Sequence, residues 1–160
     1  MRFLVDAFPL IVTVSAPTWD AAEVQALIDG FEPFFRAGRR YAVLTVPTPN
    51  APLPGHAERK MMGEWAGHPR VRDATRRLCV ASAVVVPRAI ERAVLQIIWA
   101  FGKPPCPSEA AATVERGLDF CLERLRDEQL QLPKAPDMVR YETLRSVNEL
   151  FASSTSVIRT

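Results

Sequence analysis

Two histidines are the residues of this 160-residue chain that are best suited to metal binding or proton transfer. Each has a carboxylate nearby on a predicted helix, in the patterns His56-x-Glu58 and Glu64-x-x-x-His68. A catalytic zinc ion takes about three protein ligands, and neither pair has an obvious third member. The spacing therefore favours surface histidines over metal ligands or catalytic bases.

The nucleophilic side chains lack the neighbours that catalysis requires. No GxSxG turn is present, and Ser82 stands in the middle of a predicted core strand. Cys79, Cys106 and Cys121 are an odd number without a CxxC pair, so we expect reduced thiols that pack as small apolar side chains. Glycine-rich phosphate motifs are also missing from the sequence. We therefore predict a non-enzymatic protein with no catalytic residue, metal site or cofactor.

Residues 88–101 are predicted to form a helix. A single buried side of this helix does not account for all of its apolar residues. On a helical wheel, four of them fall within about 60° and predict the stripe that faces the core: Ile90, Val94, Ile97 and Phe101. Leu95 and Trp99 fall about 140° away, on the side of Arg88 and Arg92. Tryptophan beside arginine is typical of binding hot spots. We predict a protein-interaction site of Leu95, Trp99, Arg92 and Arg88, unless the C-terminal helix covers it.

A loop and a second helix are expected to supply accessory contacts. Residues 47–54 include four prolines, which exclude a helix or a central strand there. The loop 47–55, the residue after it and the C-terminal helix provide six secondary candidates: Thr48, Asn50, His56, Met138, Tyr141 and Leu144. The predicted partner is a protein of unknown identity, and the chain is expected to form a homodimer or a higher homo-oligomer.

Two other classes of function stay open as alternatives. Ligands often bind at the carboxyl ends of parallel strands, where helix N-termini attract anions. The chain would then be a small-molecule or nucleotide binder, or an enzyme, with Arg88 as the anion contact near the loop 47–55 and His56. The second alternative is weak nucleic-acid binding through residues 56–77, where six Arg or Lys accompany three acids. The interspersed acids favour a solvated helix face over this second alternative.

Strand-like and helix-like segments alternate along the chain. Apolar, β-branched runs predict strands at 10–14, 41–46 and 79–86, with a short edge strand at 108–112. Helices are predicted at 20–37, 56–77 with a break near Pro69, 88–101, 113–130 and 137–151. This order predicts an α/β fold: a small mixed, partly parallel sheet of four to five strands flanked by helices, plus a C-terminal helix. We assign residues 1–130 to the α/β domain and 131–160 to a linker and the amphipathic helix.

Single residues give finer predictions about the helix ends. Asp20 and Thr113 have the side-chain oxygens that cap helix N-termini, and Gly38 suits a C-terminal cap. Pro33 predicts a kink or a restart of the first helix. The small, polar residues 153–160 are expected to fray.

Composition limits the class of protein. Apolar residues make up 48% and charged residues 24% of the chain, which is typical of a globular domain and excludes a disordered or collagen-like chain. A net charge of +2 is too small to indicate a dedicated nucleic-acid binder. Asp6 and Pro9 interrupt any signal-peptide core, and no run reaches the ~18 apolar residues of a membrane span. We therefore expect a cytoplasmic protein.

The order of elements over residues 8–128 resembles that of the bacterial anti-sigma-factor antagonists, the STAS-like (SpoIIAA-like) superfamily. The resemblance also rests on the stretch AVVVP, which begins at Ala83, followed by IIWAFGKPP, which begins at Ile97. It implies a small sheet with helices packed mainly on one side. It also implies a non-enzymatic protein that binds a partner protein as an adaptor or regulator in signalling or assembly.

The resemblance does not extend to a phosphorylation site. In the switched members of the superfamily, a Ser or Thr begins the helix after the strand that matches 41–46. Here residues 52–56 contain neither, and Thr48 is the nearest hydroxyl. The helix predicted at 137–151 is also not usual for the superfamily. We therefore transfer no phosphosite to this chain.

Overall fold

The computed structural model describes residues 1–49 and 51–157, with side chains described through Ser153. In chain order the elements are β1 (Arg2–Leu4), β2 (Leu10–Val14), α1 (Ala21–Ala37), β3 (Tyr41–Val46), α2 (His56–Gly67), α3 (Pro69–Leu78), β4 (Cys79–Val85), α4 (Ala89–Phe101), β5 (Ser108–Ala111), α5 (Val114–Asp127) and α6 (Pro136–Val157).

The strands form one mixed sheet in the order β1-β2-β3-β4-β5. Strand β1 is antiparallel to β2, and the other neighbours are parallel. Leu44 in β3 lies opposite Val12 in β2 and Ala83 in β4. The predicted α/β class is therefore confirmed. The sequence does not predict β1, because three residues are too few to show an alternating pattern.

Helices α5 and α6 cover one face of the sheet. Leu44 of β3, Leu118 of α5 and Val139 of α6 belong to one cluster of buried residues and are at most 1% exposed. The C-terminal helix thus packs within its own chain, on the α5 side. The family resemblance implies helices mainly on one side of the sheet, and this expectation is wrong for this chain. Helix α5, which follows β5, packs its apolar side chains against the face opposite α1.

Helices α1, α2 and α3 lie on the other face, where aromatic side chains dominate the packing. The ring centroid of Phe31 lies 6.1 Å from that of Phe35, and Trp65 of α2 lies 5.9 Å and 6.3 Å from these two rings. Helix α1 is one helix through Pro33, so the expected alternative of a restart is wrong. The aromatic packing on both sides of Pro33 holds the two halves of α1 in one element.

The predicted helix caps are confirmed. The Asp20 carboxylate accepts from the N–H of Glu23 at 2.8 Å, and the Thr113 hydroxyl accepts from the N–H of Arg116 at 3.2 Å. Gly38 ends α1 in the left-handed region, with φ 62°. Such a backbone conformation suits glycine because it has no Cβ.

Helix α6 continues further than its sequence indicates. It runs to Val157, beyond the predicted end at residue 151, and residues 158–160 lie outside the described residues. The expected fraying of residues 153–160 stays a prediction. Leu150 and Phe151, at the end of the predicted helix, still pack against the buried cluster. Among residues 1–49 and 51–157, no helix is both long and apolar enough to cross a membrane.

Candidate functional site

Helix α4 is rotated relative to the helical-wheel prediction. The four residues of the predicted core stripe are exposed, with Ile90 at 81% and Phe101 at 90%. Leu95 and Trp99 are half-buried instead, and Trp99 points towards the sheet side of the helix. The prediction that the stripe from Ile90 to Phe101 faces the core is therefore wrong.

Hydrogen bonds from Arg92 explain this rotation. The Arg92 guanidinium donates to the carbonyl oxygens of Val86 and Pro87 at 2.7 Å and 2.5 Å, in the connection between β4 and α4. Arg92 and Trp99 are two helical turns apart, so the side that carries both must face the protein. Arg88, the remaining member of the predicted site, is exposed and pairs with Glu91 at 3.2 Å. A helical wheel considers only the hydrophobicity of each position, so it cannot predict the hydrogen bonds from Arg92 to backbone carbonyls.

The opposite side of α4 is an exposed apolar surface. We call it the α4 outer face and define it by five residues that are between 52% and 90% exposed: Ile90, Val94, Ile97, Ile98 and Phe101. No residue of α4 is buried. The charged residues of the helix, Glu91 and Arg92, are half-buried and lie off this face. None of the five residues of the α4 outer face is charged, and Glu91 at its edge is ion-paired with Arg88.

A cavity of about 550 Å³ lies between the sheet and helices α1, α2 and α4. We call it the sheet–helix cavity. Val43 of β3 and Val84 of β4 contribute to its floor. All three tryptophans of the chain line it, namely Trp19, Trp65 and Trp99. Pockets that bind small molecules usually have about 300–1,000 Å³ and mostly apolar walls, so this cavity has the size and chemistry of a ligand site.

The cavity differs from the pocket that the sequence predicts at the strand ends. Pro47 and residues 52–54 of the proline-rich loop line it, as expected for that edge of the sheet. His56 and Arg88, the expected polar and anionic contacts, are exposed and do not line it. This cavity is apolar and lies away from Arg88 and His56, so anion binding by Arg88 near the loop stays a prediction.

Trp65 and Tyr41 each bring a neutral polar group to the cavity wall. The Trp65 Nε1 atom is buried and has no hydrogen-bond partner among the described residues. Burial raises the pKa of the Tyr41 hydroxyl, and the nearby Cys79 and Cys106 sulfurs raise it further. Tyr41 is consequently uncharged at physiological pH. A buried N–H without an acceptor costs about 1–3 kcal/mol, so an acceptor that reached Trp65 would bind favourably.

Two of the three free cysteines meet in the same wall. The Sγ atoms of Cys79 and Cys106 are 3.5 Å apart, and the Cys79 Sγ also lies 3.2 Å from the carbonyl oxygen of Ala81. The contact with Cys79 lowers the pKa of Cys106, and Ser108 lowers it further. The same contact, together with burial, raises the pKa of Cys79. Cys106 is thus the thiol of the pair that ionises first.

The third thiol is separate from this pair. Cys121 is buried on the α5 side of the sheet, 3.5 Å from the carbonyl oxygen of Val43. Burial raises its pKa to about 12. The predicted packing of cysteines as small apolar side chains is confirmed for Cys79 and Cys121, whereas Cys106 is half-buried.

The secondary candidates do not form one surface. Thr48 is buried: its hydroxyl donates to the carbonyl of Ser15, and its N–H donates to the Ser15 hydroxyl at 3.0 Å. Such bonds give Thr48 a structural role in the loop. Asn50 lies outside the described residues. The remaining candidates are His56, exposed at the start of α2, and three residues of α6 beyond the other face of the sheet: Met138 and Tyr141, both exposed, and Leu144, half-buried.

The histidine pairs do not extend into a metal site. The His68 Nδ1 atom accepts from the N–H of Arg70 at 3.3 Å, which caps α3. Across residues 1–49 and 51–157, no three His, Cys, Asp or Glu residues are grouped so that they could hold a metal ion.

Several cations of the basic segment 56–77 are paired with acids. Arg70 forms a bidentate ion pair with Glu32 of α1, and this contact lowers the pKa of Glu32. Two more ion pairs lie within the segment, Lys60–Glu64 at 3.8 Å and Arg76–Asp73 at 3.5 Å. These pairs reduce the positive charge that the segment presents to a nucleic acid.

Comparisons with protein-family models, with curated proteins and with solved structures found no match in any of the three. The STAS-like resemblance therefore stays a prediction. The site to be explained consists of the α4 outer face, the sheet–helix cavity beneath it and the thiol pair in the cavity wall.

Proposed function

We propose that this chain is a protein-interaction module, an adaptor or regulator rather than an enzyme, and that the α4 outer face is its binding surface. One observation carries the proposal: five large apolar side chains stand exposed together on one helix. Extended apolar patches on soluble domains typically mark contact sites. The proposal keeps the function expected from the sequence but transfers the contact from Leu95 and Trp99 to the opposite side of α4.

The apolar side chains on both sides of α4 also favour a partner. Leu95 and Trp99 on its inner side are apolar, and so is the outer face. A helix that is apolar on most of its circumference is normally buried on all sides. In one copy of the chain, only the inner side of α4 is covered.

A second copy of the chain is the partner that fits this face best. In a twofold dimer each patch contacts an identical patch, so like charges within it would repel. The five residues of the α4 outer face are uncharged, and the neighbouring Glu91 is ion-paired with Arg88, so pairing the face with itself brings no unpaired like charges together. A membrane surface fits less well, because helices that bind it carry many Lys and Arg on the polar side. Helix α4 has one basic residue, Arg92, and Arg92 bonds to backbone carbonyls.

Sedimentation velocity of the full chain over a range of concentrations tests this function. We expect a reversible equilibrium between a 17.8 kDa species and one of twice that mass. The chain should not co-sediment with phosphatidylserine vesicles. A monomer at every concentration up to about 0.5 mM contradicts the proposal, because a dimer with an association free energy of only about 4–5 kcal/mol would be visible there. Vesicle binding without a dimer would indicate a membrane surface instead.

The sheet–helix cavity supports a second candidate function, the binding of an elongated apolar small molecule. The observation that favours it is the cavity itself, with its volume of about 550 Å³ and its buried, unpartnered Trp65 Nε1. A molecule with an alkyl chain and one hydrogen-bond acceptor matches these walls. This function could coexist with the first, because the outer face and the cavity lie on opposite sides of α4.

Tryptophan fluorescence can detect such a ligand, because all three tryptophans line the cavity. We expect a long-chain bromoalkanol to quench the emission in a saturable way. Ser82→Phe, which places a ring in the cavity, should abolish the saturable quenching, whereas Ile97→Asp on the outer face should leave it unchanged. Quenching that does not saturate, or that persists in Ser82→Phe, would exclude a ligand in this cavity.

A further inference from the structure

We propose that Cys79 and Cys106 form an oxidation site, at which a hydroperoxide converts the two thiols to an intramolecular disulfide. The proposal is independent of the function assigned to the α4 outer face. It rests on the distance between the sulfurs, on the unequal exposure of the two residues and on the backbone that holds them.

The geometry needs only a small change to form the bond. The two Sγ atoms are 3.5 Å apart, and a disulfide bond is about 2.05 Å long, so the sulfurs must approach by about 1.5 Å. The backbone around both residues is anchored. Cys79 begins β4, and the connection before β5 is tied to β4 by the Ser82 N–H, which donates to the Pro107 carbonyl at 2.9 Å.

Proline residues fix the segment that carries Cys106. Pro105 and Pro107 flank it, and a proline ring restricts the φ angle of its own residue. Parallel pairing of Ser82 with Ser108 sets the position of this segment against β4. The two thiols, which are 27 positions apart in the chain, are therefore held side by side by the sheet rather than by chance contact.

The two cysteines have different roles in the reaction. Cys106 is half-buried and lines the cavity, so a peroxide can reach it. Its lowered pKa supports this role, because the thiolate is the attacking form. Cys79 is buried beside it and is placed to react second. A low-pKa, accessible cysteine next to a resolving cysteine is the arrangement typical of reversible oxidation.

The chemistry balances in two steps. The Cys106 thiolate attacks one peroxide oxygen, the O–O bond breaks, and a sulfenic acid forms while the other oxygen leaves as hydroxide or alkoxide and takes up a proton. The Cys79 sulfur then attacks the sulfenic sulfur, forms the S–S bond and releases the hydroxyl group, which leaves as water with the Cys79 proton. The two thiols lose two electrons in total, and the peroxide gains them.

Cys121 provides an internal control for this assignment. It lies on the α5 side of the sheet, within a different buried cluster, and burial raises its pKa. Neither thiol of the pair can reach it through the sheet. The oxidised chain should therefore retain one free thiol, that of Cys121.

Mass spectrometry of the full chain after treatment with hydrogen peroxide tests the proposal. Under non-reducing conditions we expect a mass loss of about 2 Da, one remaining thiol, and a tryptic peptide with Cys79 joined to one with Cys106. Dithiothreitol should restore three thiols. Cys106→Ser should abolish the link, and Cys121→Ser should leave it unchanged.

The pH dependence gives a second readout. The rate should rise with pH as Cys106 ionises and reach half its plateau below about pH 8.5, the ordinary pKa of a thiol. Several results would overturn the proposal: disulfides between two copies of the chain, sulfinic acid at Cys106 without a link to Cys79, a link that includes Cys121, or thiols that survive peroxide as well as Cys121 does.

Discussion

The double variant Ile97→Asp/Phe101→Asp should be a monomer at concentrations where the wild-type chain is a dimer. Both side chains lie on the α4 outer face, and they are 58% and 90% exposed in one copy. Replacing them removes apolar burial from both copies and places unpaired carboxylates in the interface. We expect a loss of about 3 kcal/mol or more, which raises the dissociation constant at least about 100-fold. Sedimentation velocity measures the change.

The matched control for this variant is Met138→Asp/Tyr141→Asp. These residues are 49% and 62% exposed on α6, beyond the opposite face of the sheet, so the control introduces the same two charges at apolar positions of similar exposure. It should leave the dimer intact. Both variants should unfold at the same temperature as a dilute wild-type sample, because the changed side chains are already open to solvent. Equal loss of the dimer in both variants would exclude a specific α4 interface.

Leu118→Ala should have the largest effect on stability. Leu118 is fully buried between α5 and the sheet, in the cluster that also contains Leu44 and Val139. Truncating a buried leucine removes apolar burial and leaves a cavity, which costs about 2–5 kcal/mol. Urea denaturation should show this decrease in the free energy of unfolding, with an unchanged slope.

Leu53→Ala is the control for the stability prediction, because Leu53 is 70% exposed. The same substitution there should change the free energy of unfolding by less than about 0.5 kcal/mol. A similar cost at both positions would show that the α5 side of the sheet is not the core that we describe.

Much of the fold could be predicted because its strands and caps are encoded locally. The apolar, β-branched runs at Leu10–Val14 and Tyr41–Val46 pair with neighbours on both sides and need no polar alternation. The caps at Asp20 and Thr113 depend on bonds to residues three positions away. Such short-range features can be recognised in a sequence.

The rotation of α4 could not be predicted, because α4 has apolar residues on two sides. Periodicity identifies both stripes equally well and does not rank them. Which side of α4 faces the sheet depends on Arg92, which donates hydrogen bonds to the backbone before the helix, and on Trp99, which lines the cavity. Both are tertiary contacts. Leu95, Trp99 and Arg92 of the predicted site are therefore half-buried, and the exposed apolar side chains lie on the opposite side of the helix.

The cavity and the thiol pair depend on still longer-range structure. The cavity is space left between the sheet and three helices, and no local pattern indicates such space. A signal for the thiol pair did exist. Cys79 begins one predicted strand and Cys106 shortly precedes the next, so parallel pairing of β4 with β5 brings the two starts together.

Photo-cross-linking from α4 tests the proposed interface most directly. Ala93 is exposed and lies about 40° from Ile97 on the helical wheel, so Ala93→benzoylphenylalanine would place a photoreactive group beside the α4 outer face. Irradiation of a mixture of ¹⁴N and ¹⁵N chains, followed by mass spectrometry, separates links between copies from links within one copy. We predict mixed-isotope peptides that join residues 89–101 of one chain to residues 89–101 of the other. Links confined to one copy, or mixed links that join α4 to α6, would contradict the proposal that α4 outer faces pair.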